Sequence, residues 1–122
     1  MTAYDPSNIF ARILRGEIPC NKVFEDDHVL AFHDIHPQAP VHVLVLPKGP
    51  YRSLTDFTRD AAEAEIVALF RAVGQIVSDL KLEDAGYRTI SNSGANGGQE
   101  VPHLHIHILG GRALGPMLAF RG

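Results

Sequence analysis

The chain has 122 residues, 45% of them hydrophobic and 20% charged, which supports one domain with its own core and is short for two. Eleven Lys and Arg stand against fourteen Asp and Glu for a formal charge of −3, so there is no basic footprint for non-specific nucleic-acid binding. Cys20 is the single cysteine, which excludes a disulfide framework and a Cys-cluster zinc site.

The longest apolar stretch, Ile66 to Phe70, is far short of the roughly 20 residues a membrane span needs. Met1 to Pro6 has neither the basic head nor the apolar run of a signal peptide. The expectation is a single-domain cytoplasmic protein with no membrane partner and no nucleic-acid partner.

Asp5-Pro6-Ser7 punctuates the start, with Ser7 as the expected N-cap of a short helix over Asn8–Arg15. Gly16 and then Pro19 end it. Val23–Glu25 and Val29–Asp34 read as strands separated by the turn signal Asp26-Asp27. The two prolines of His36-Pro37-Gln38-Ala39-Pro40 suit only a connection. Val41–Pro47 follows as a β-branched strand with His42 its only polar side chain.

A long helix is expected from about Arg59 to Leu80, with Thr58 as N-cap. Its stripe of Ala62, Ile66, Leu69, Val73, Ile76 and Leu80 reads as plain core packing. Tyr87–Asn92 is another strand, Ser93–Gly98 a glycine-rich loop, and His103–Leu109 the last strand, stopped by Gly110-Gly111. The tail from Ala113 to Gly122 is apolar and should dock on the body or on a second subunit. Short connections favour antiparallel pairing. The expected class is therefore α+β: a mostly antiparallel five-stranded sheet with one long and one short helix.

Seven histidines are the compositional oddity, and three of them form His103-Leu104-His105-Ile106-His107. At this composition a His-x-His-x-His arises by chance in about 2% of such chains. Residues two apart share a strand face, so the three imidazoles point one way while Leu104, Ile106 and Ile108 face the core. Folding uses only the apolar set. An inert histidine row is the bland reading.

A metal site is a second reading, but a strand spreads His103 and His107 about 13 Å apart, from roughly 3.3 Å per residue. All three cannot easily meet at one ion, although an adjacent pair with a remote ligand could. No cofactor is expected. Nucleophilic catalysis fits better, because a neutral imidazole at His105 has a lone pair that can attack phosphorus. The flanking imidazoles would serve as phosphate donors and as acid for the leaving group. The loop Gly94–Gln99 would turn backbone N–H groups toward the anion.

The run His103 to Leu109 resembles the His-φ-His-φ-His-φ-φ signature of the histidine triad (HIT) superfamily. The resemblance extends through Ile9-Phe10, Ile18-Pro19, Ala31 to Ile35, Pro37 to Pro40, His42, Asn92, Gly97 to Gln99 and Leu109 to Arg112. It is similar to the Hint branch of purine nucleoside phosphoramidases and adenylate-lysine hydrolases. Dinucleoside polyphosphate hydrolases of the superfamily usually carry Gln where this chain has His107.

The resemblance implies that His105 takes the nucleotide onto its ring and that His107 contacts phosphate and protonates the amine. His103 and His42 would support the row, and Asp34 would bind the ribose hydroxyls. Ile9, Phe10, Ile13, Ile18, Phe32, His33 and Ile35 would line the base slot, and Asn92, Gly98, Gln99 and Glu100 the phosphate-side wall. Further implications are a homodimer with a continuous sheet, AMP or GMP conjugates as substrates, and no metal. The alternatives are a purely regulatory purine-nucleotide binder with incidental slow hydrolysis and a dinucleoside polyphosphate hydrolase. Glu100 stands where many Hint proteins have Ser, and the tail lacks Trp.

Overall fold

The computed structural model of the protein describes residues 3–118. The elements run α1 (Ile9–Leu14), β1 (Lys22–Glu25), β2 (Val29–His33), β3 (Val41–Pro47), α2 (Leu54–Asp60), α3 (Glu63–Asp79), β4 (Tyr87–Ile90) and β5 (Ile106–Gly110). The five strands form one sheet in the order β1-β2-β3-β5-β4, with every neighbouring pair antiparallel. The expected α+β class is the one observed.

Each face of the sheet has its own core. On one face Val29, Ala31, Val43, Val45, Ile106 and Ile108 pack with Phe57 of α2 and with Leu69, Ala72, Ile76 and Val77 of α3. On the other face Leu30, Phe32, Leu44 and Leu46 pack beneath Phe10, Ile13 and Leu14 of α1. Period-two alternation along β2 and β3 feeds both cores from the same strands, which explains why these strands are apolar apart from His33 and His42. The register pairs Leu44 with His107, so the histidine row shares the α1 face.

Three local expectations need correction. The long helix is two helices: Ala61 and Ala62 are both extended, with ψ of 151° and 154°. Thr58, expected as its N-cap, lies inside α2 and donates its hydroxyl to the Leu54 carbonyl. The α3 N-terminus is instead held by the Glu65 carboxylate, which accepts the Ala62 N–H at 2.8 Å and the Tyr51 hydroxyl at 2.8 Å.

Second, Asn8 rather than Ser7 caps α1, its side-chain oxygen accepting the Ala11 N–H at 2.9 Å while its amide donates to the Asp5 carbonyl. Asn8 is buried and carries both bonds. Asn8→Ala should cost about 1–2 kcal/mol, read from the urea midpoint, because helix N–H groups lose their acceptor.

Third, β5 begins at Ile106, not at His103. Register carries Val45 opposite Ile106. Two residues further along β3 stands Pro47, which has no N–H to continue a ladder. Residues 103–105 are tied off the sheet instead, the Leu104 N–H donating to the Tyr51 carbonyl at 2.8 Å and the His103 N–H to the Val101 carbonyl. The strands expected to end at Asp34 and Asn92 stop at His33 and Ile90. Arg88 holds the described part of the tail through the Gly115 carbonyl at 2.8 Å, leaving Met117 and Leu118 exposed. Phe120 lies outside the described residues.

Candidate active site

Alternation does hold across residues 103–108: Leu104, Ile106 and Ile108 enter the core beneath α2 and α3, while His105 and His107 line a cleft on the α1 face. Ring centroids run from Phe10 to His105 at 4.9 Å, His105 to His107 at 4.9 Å and His107 to His42 at 5.1 Å. The cleft holds about 360 Å³, within the range of small-ligand sites.

Obligate partners set the tautomer of each ring. The Gln38 backbone N–H can only donate, and it donates to His42 Nδ1 at 3.1 Å. The neutral His42 ring therefore carries its proton on Nε2 and gives it to His107 Nδ1 at 2.8 Å. His107 in turn keeps its proton on Nε2, as a donor. The His103 carbonyl can only accept, so the His105 Nδ1–H donates to it at 2.7 Å. His105 Nε2 is left with a bare lone pair. No described side-chain nitrogen is both buried and unpartnered, so this nitrogen reaches the open cleft.

His103 does not line the cleft. Its Nε2–H donates to the Pro47 carbonyl at 2.9 Å, and its Nδ1 accepts the Tyr4 hydroxyl at 2.7 Å. It acts through its backbone carbonyl, which fixes the His105 tautomer. Tyr4 is a partner that sequence reasoning missed, since nothing local links residues 99 positions apart.

Burial keeps the row neutral. It pushes His103 and His107 down to about 4 and lowers His105 and His42, because a desolvated imidazole resists charge. The Asp34 carboxylate, whose Oδ2 lies 3.5 Å from His42 Nε2, opposes that shift without overcoming it.

The expected base-slot residues Ile9, Phe10, Ile13, Ile18, Phe32, His33 and Ile35 all line the cleft, as do Asp34, Asn92, Gly98 and Glu100. Ile35 is 81% exposed at the mouth, an apolar surface that a flat ring would cover. Cys20, His36, Gln38, Leu44 and Val101 also line it without having been expected there. His36, in the proline-bearing connection between β2 and β3, is exposed at the cleft.

Gln99 is the exception among the expected wall residues. Its side chain accepts the Gly94 N–H and donates to the Arg52 carbonyl at 2.7 Å and the Val101 carbonyl at 3.0 Å, lashing the loop rather than facing the cleft. The loop differs from the expected row of bare donors as well. The N–H groups of Gly98 and Gln99 are spent on the Ala95 and Gly94 carbonyls, each at 3.1 Å. Gly97 packs so closely that a Cβ would stand 2.5 Å from the Ser93 carbonyl oxygen, and Gly98 has φ of +74°.

Asp34, His42 and His107 bring ligand-type atoms within 4.8 Å of one another, with one residue of the row rather than the adjacent pair that the histidine spacing leaves open. Coordination through His42 Nε2 would force its proton onto Nδ1, against the Gln38 N–H, donor facing donor. The cluster is built as a hydrogen-bond relay.

Residues 15–114 match the HIT domain family. The chain belongs to the HIT family. A HIT-like protein of Azospirillum brasilense is 61% identical over 115 residues, covering 94% of each chain. The purine nucleoside phosphoramidase of Escherichia coli K12 is 43% identical over 114 residues, covering 93% of this chain and 95% of that one. A HIT family hydrolase from Legionella pneumophila superposes with a TM-score of 0.81 at 40% identity, over 88% of this chain and 95% of the other. A histidine triad protein from Clostridium difficile gives 0.80 at 47%, over 88% and 93%. This HIT chain is thus similar to hydrolases in sequence and in fold.

Proposed function

We propose that this HIT protein hydrolyses the P–N bond of purine nucleoside 5′-phosphoramidates through a nucleotidyl intermediate on His105. The observation that carries the reading is the bare Nε2 lone pair of His105, fixed by the His103 carbonyl and open to the cleft. The Escherichia coli relative named a purine nucleoside phosphoramidase supports the choice of bond.

A purine base occupies the apolar slot of Ile9, Phe10, Ile13, Ile18 and Phe32, and the ribose hydroxyls donate to Asp34. His105 Nε2 bonds to phosphorus as the P–N bond breaks, and the electron pair leaves on nitrogen. That nitrogen takes one proton from Nε2 of His107, whose ring draws a second proton from solvent at Nδ1 once phosphate binds, the His42 Nε2–H turning instead to the Asp34 carboxylate 3.5 Å away. Water then displaces the imidazole. Of its two protons one returns to His107 and one leaves to solvent, giving the nucleoside monophosphate and free amine.

The deciding experiment is a single turnover with adenosine 5′-phosphoramidate, quenched in alkaline denaturant and read by mass spectrometry. The expected result is an AMP adduct located on His105. Tight AMP binding with neither adduct nor amine release would replace the enzyme by a regulatory nucleotide binder.

We further propose that the protein works as a cytoplasmic homodimer. β4 is an edge strand with Tyr87 half-exposed, and α3 leaves Val67 and Phe70 about half-exposed on one side. A second copy across a two-fold axis would cover both and continue the sheet. Among the described residues, no helix is long and apolar enough to cross a membrane.

A further inference from the structure

Charge around the cleft says which leaving groups it accepts. Its lining includes two carboxylates, Asp34 and Glu100, and no lysine or arginine among the described residues. Before phosphate binds, the buried rings of His105 and His107 add no counter-charge, since burial favours their neutral form. A site for polyphosphate chains is normally studded with fixed cations, because the transferring and departing phosphates both carry negative charge. This cleft is acidic instead.

The two carboxylates stand at different places. Asp34 acts on His42, His105 and His107, whereas Glu100 acts on His105 alone of the row. Glu100 follows the glycine loop, is exposed, and forms no ion pair with any described residue. With the base in the α1 slot and the ribose at Asp34, the wall on the glycine-loop side is Asn92, Gly98 and Glu100. That wall is where the departing group must lie.

Resting on the phosphoramidase reading, we infer that Glu100 makes the site select leaving amines that carry a second, positively charged group and reject anionic ones. Amines of the diamine or basic amino-acid class fit. Acidic amines and dinucleoside polyphosphates do not, since their charge meets the Glu100 carboxylate with no described cation to offset it.

The test uses three adenosine 5′-phosphoramidates whose amines have equal length and end in an ammonium, a neutral amide or a carboxylate. For the native protein kcat/KM should fall in that order, with ammonium over carboxylate on the order of tenfold or more. The gap should shrink between 20 and 500 mM salt, roughly as screening over a Debye length requires. In Glu100→Gln the ammonium-to-carboxylate ratio should collapse toward unity, a readout that cancels any change in overall rate.

Binding of the same compounds to the turnover-deficient His105→Ala variant, by calorimetry, reads the selection without chemistry. A native ratio near unity, or one that Glu100→Gln leaves intact, overturns the inference while cleavage of the neutral compound still upholds the phosphoramidase. Absence of cleavage for all three defeats the phosphoramidase, and the calorimetric order alone then decides the role of Glu100.

Discussion

His105→Ala should abolish turnover of adenosine 5′-phosphoramidate, lowering kcat on the order of a thousandfold or more, while AMP affinity stays within about tenfold. The asymmetry follows from where the ring sits. In the proposed reading the α1 slot holds the base and Asp34 the ribose, and neither of these contacts uses the His105 imidazole. The attacking lone pair has no substitute. His107 cannot replace it, because the Gln38–His42–His107 relay puts a proton on His107 Nε2, the nitrogen not engaged with His42.

His105 is also nearly buried, packed edge-on against Phe10, so truncation leaves a small apolar cavity beside the cleft. Circular dichroism and AMP calorimetry on the same sample separate lost chemistry from lost structure. Wild-type turnover in the variant would remove His105 from the reaction. Equal loss of AMP binding and turnover would mean that the ring shapes the pocket rather than attacks.

The parts of this site legible in sequence are those written at short range. The His-x-His-x-His spacing placed two imidazoles on the cleft face, and alternation put Leu104, Ile106 and Ile108 opposite. What a one-dimensional reading lacked was the partner of each polar group. The family resemblance puts Gln99 on the phosphate-side wall, yet the loop needs its amide to reach the Arg52 carbonyl. His103 looked like a third cleft residue, but Pro47 on β3 stops the ladder and offers its carbonyl to that ring.

The break between α2 and α3 was hidden for a different reason. Arg59 to Ala64 contains only residues that tolerate helix, with no glycine or proline. The one local sign is Glu65, three residues after Ala62, and the Tyr51 hydroxyl that shares its carboxylate is distant in sequence.

The same burial that keeps the row neutral should make the protein acid-sensitive in a defined window. His103 has its native value depressed from 6.5 to about 4. Above pH 6.5 the ring is neutral in both the folded and the unfolded chain and favours neither. As pH falls below 6.5 the unfolded chain takes up the proton and the folded one does not, so stability is lost until pH 4, where the native ring also titrates. For His103, fully buried, the loss approaches about 3 kcal/mol, at 1.36 kcal/mol per unit.

His107 shifts to about 4 as well, and His105 and His42 are lowered, so the four act in the same direction. Carboxylates enter later. Those that are lowered, such as Glu25 at about 2, contribute only as the pH drops through their unfolded values near 4.5. Urea midpoints measured at half-unit steps should therefore fall steeply between pH 6.5 and 5, before carboxylates contribute. His107→Gln should flatten that slope, because glutamine takes up no proton in either state. Midpoints that hold level from pH 7 to 5 would show that the buried rings carry charge in the folded protein, and a charged His105 could not supply the lone pair on which the chemistry depends.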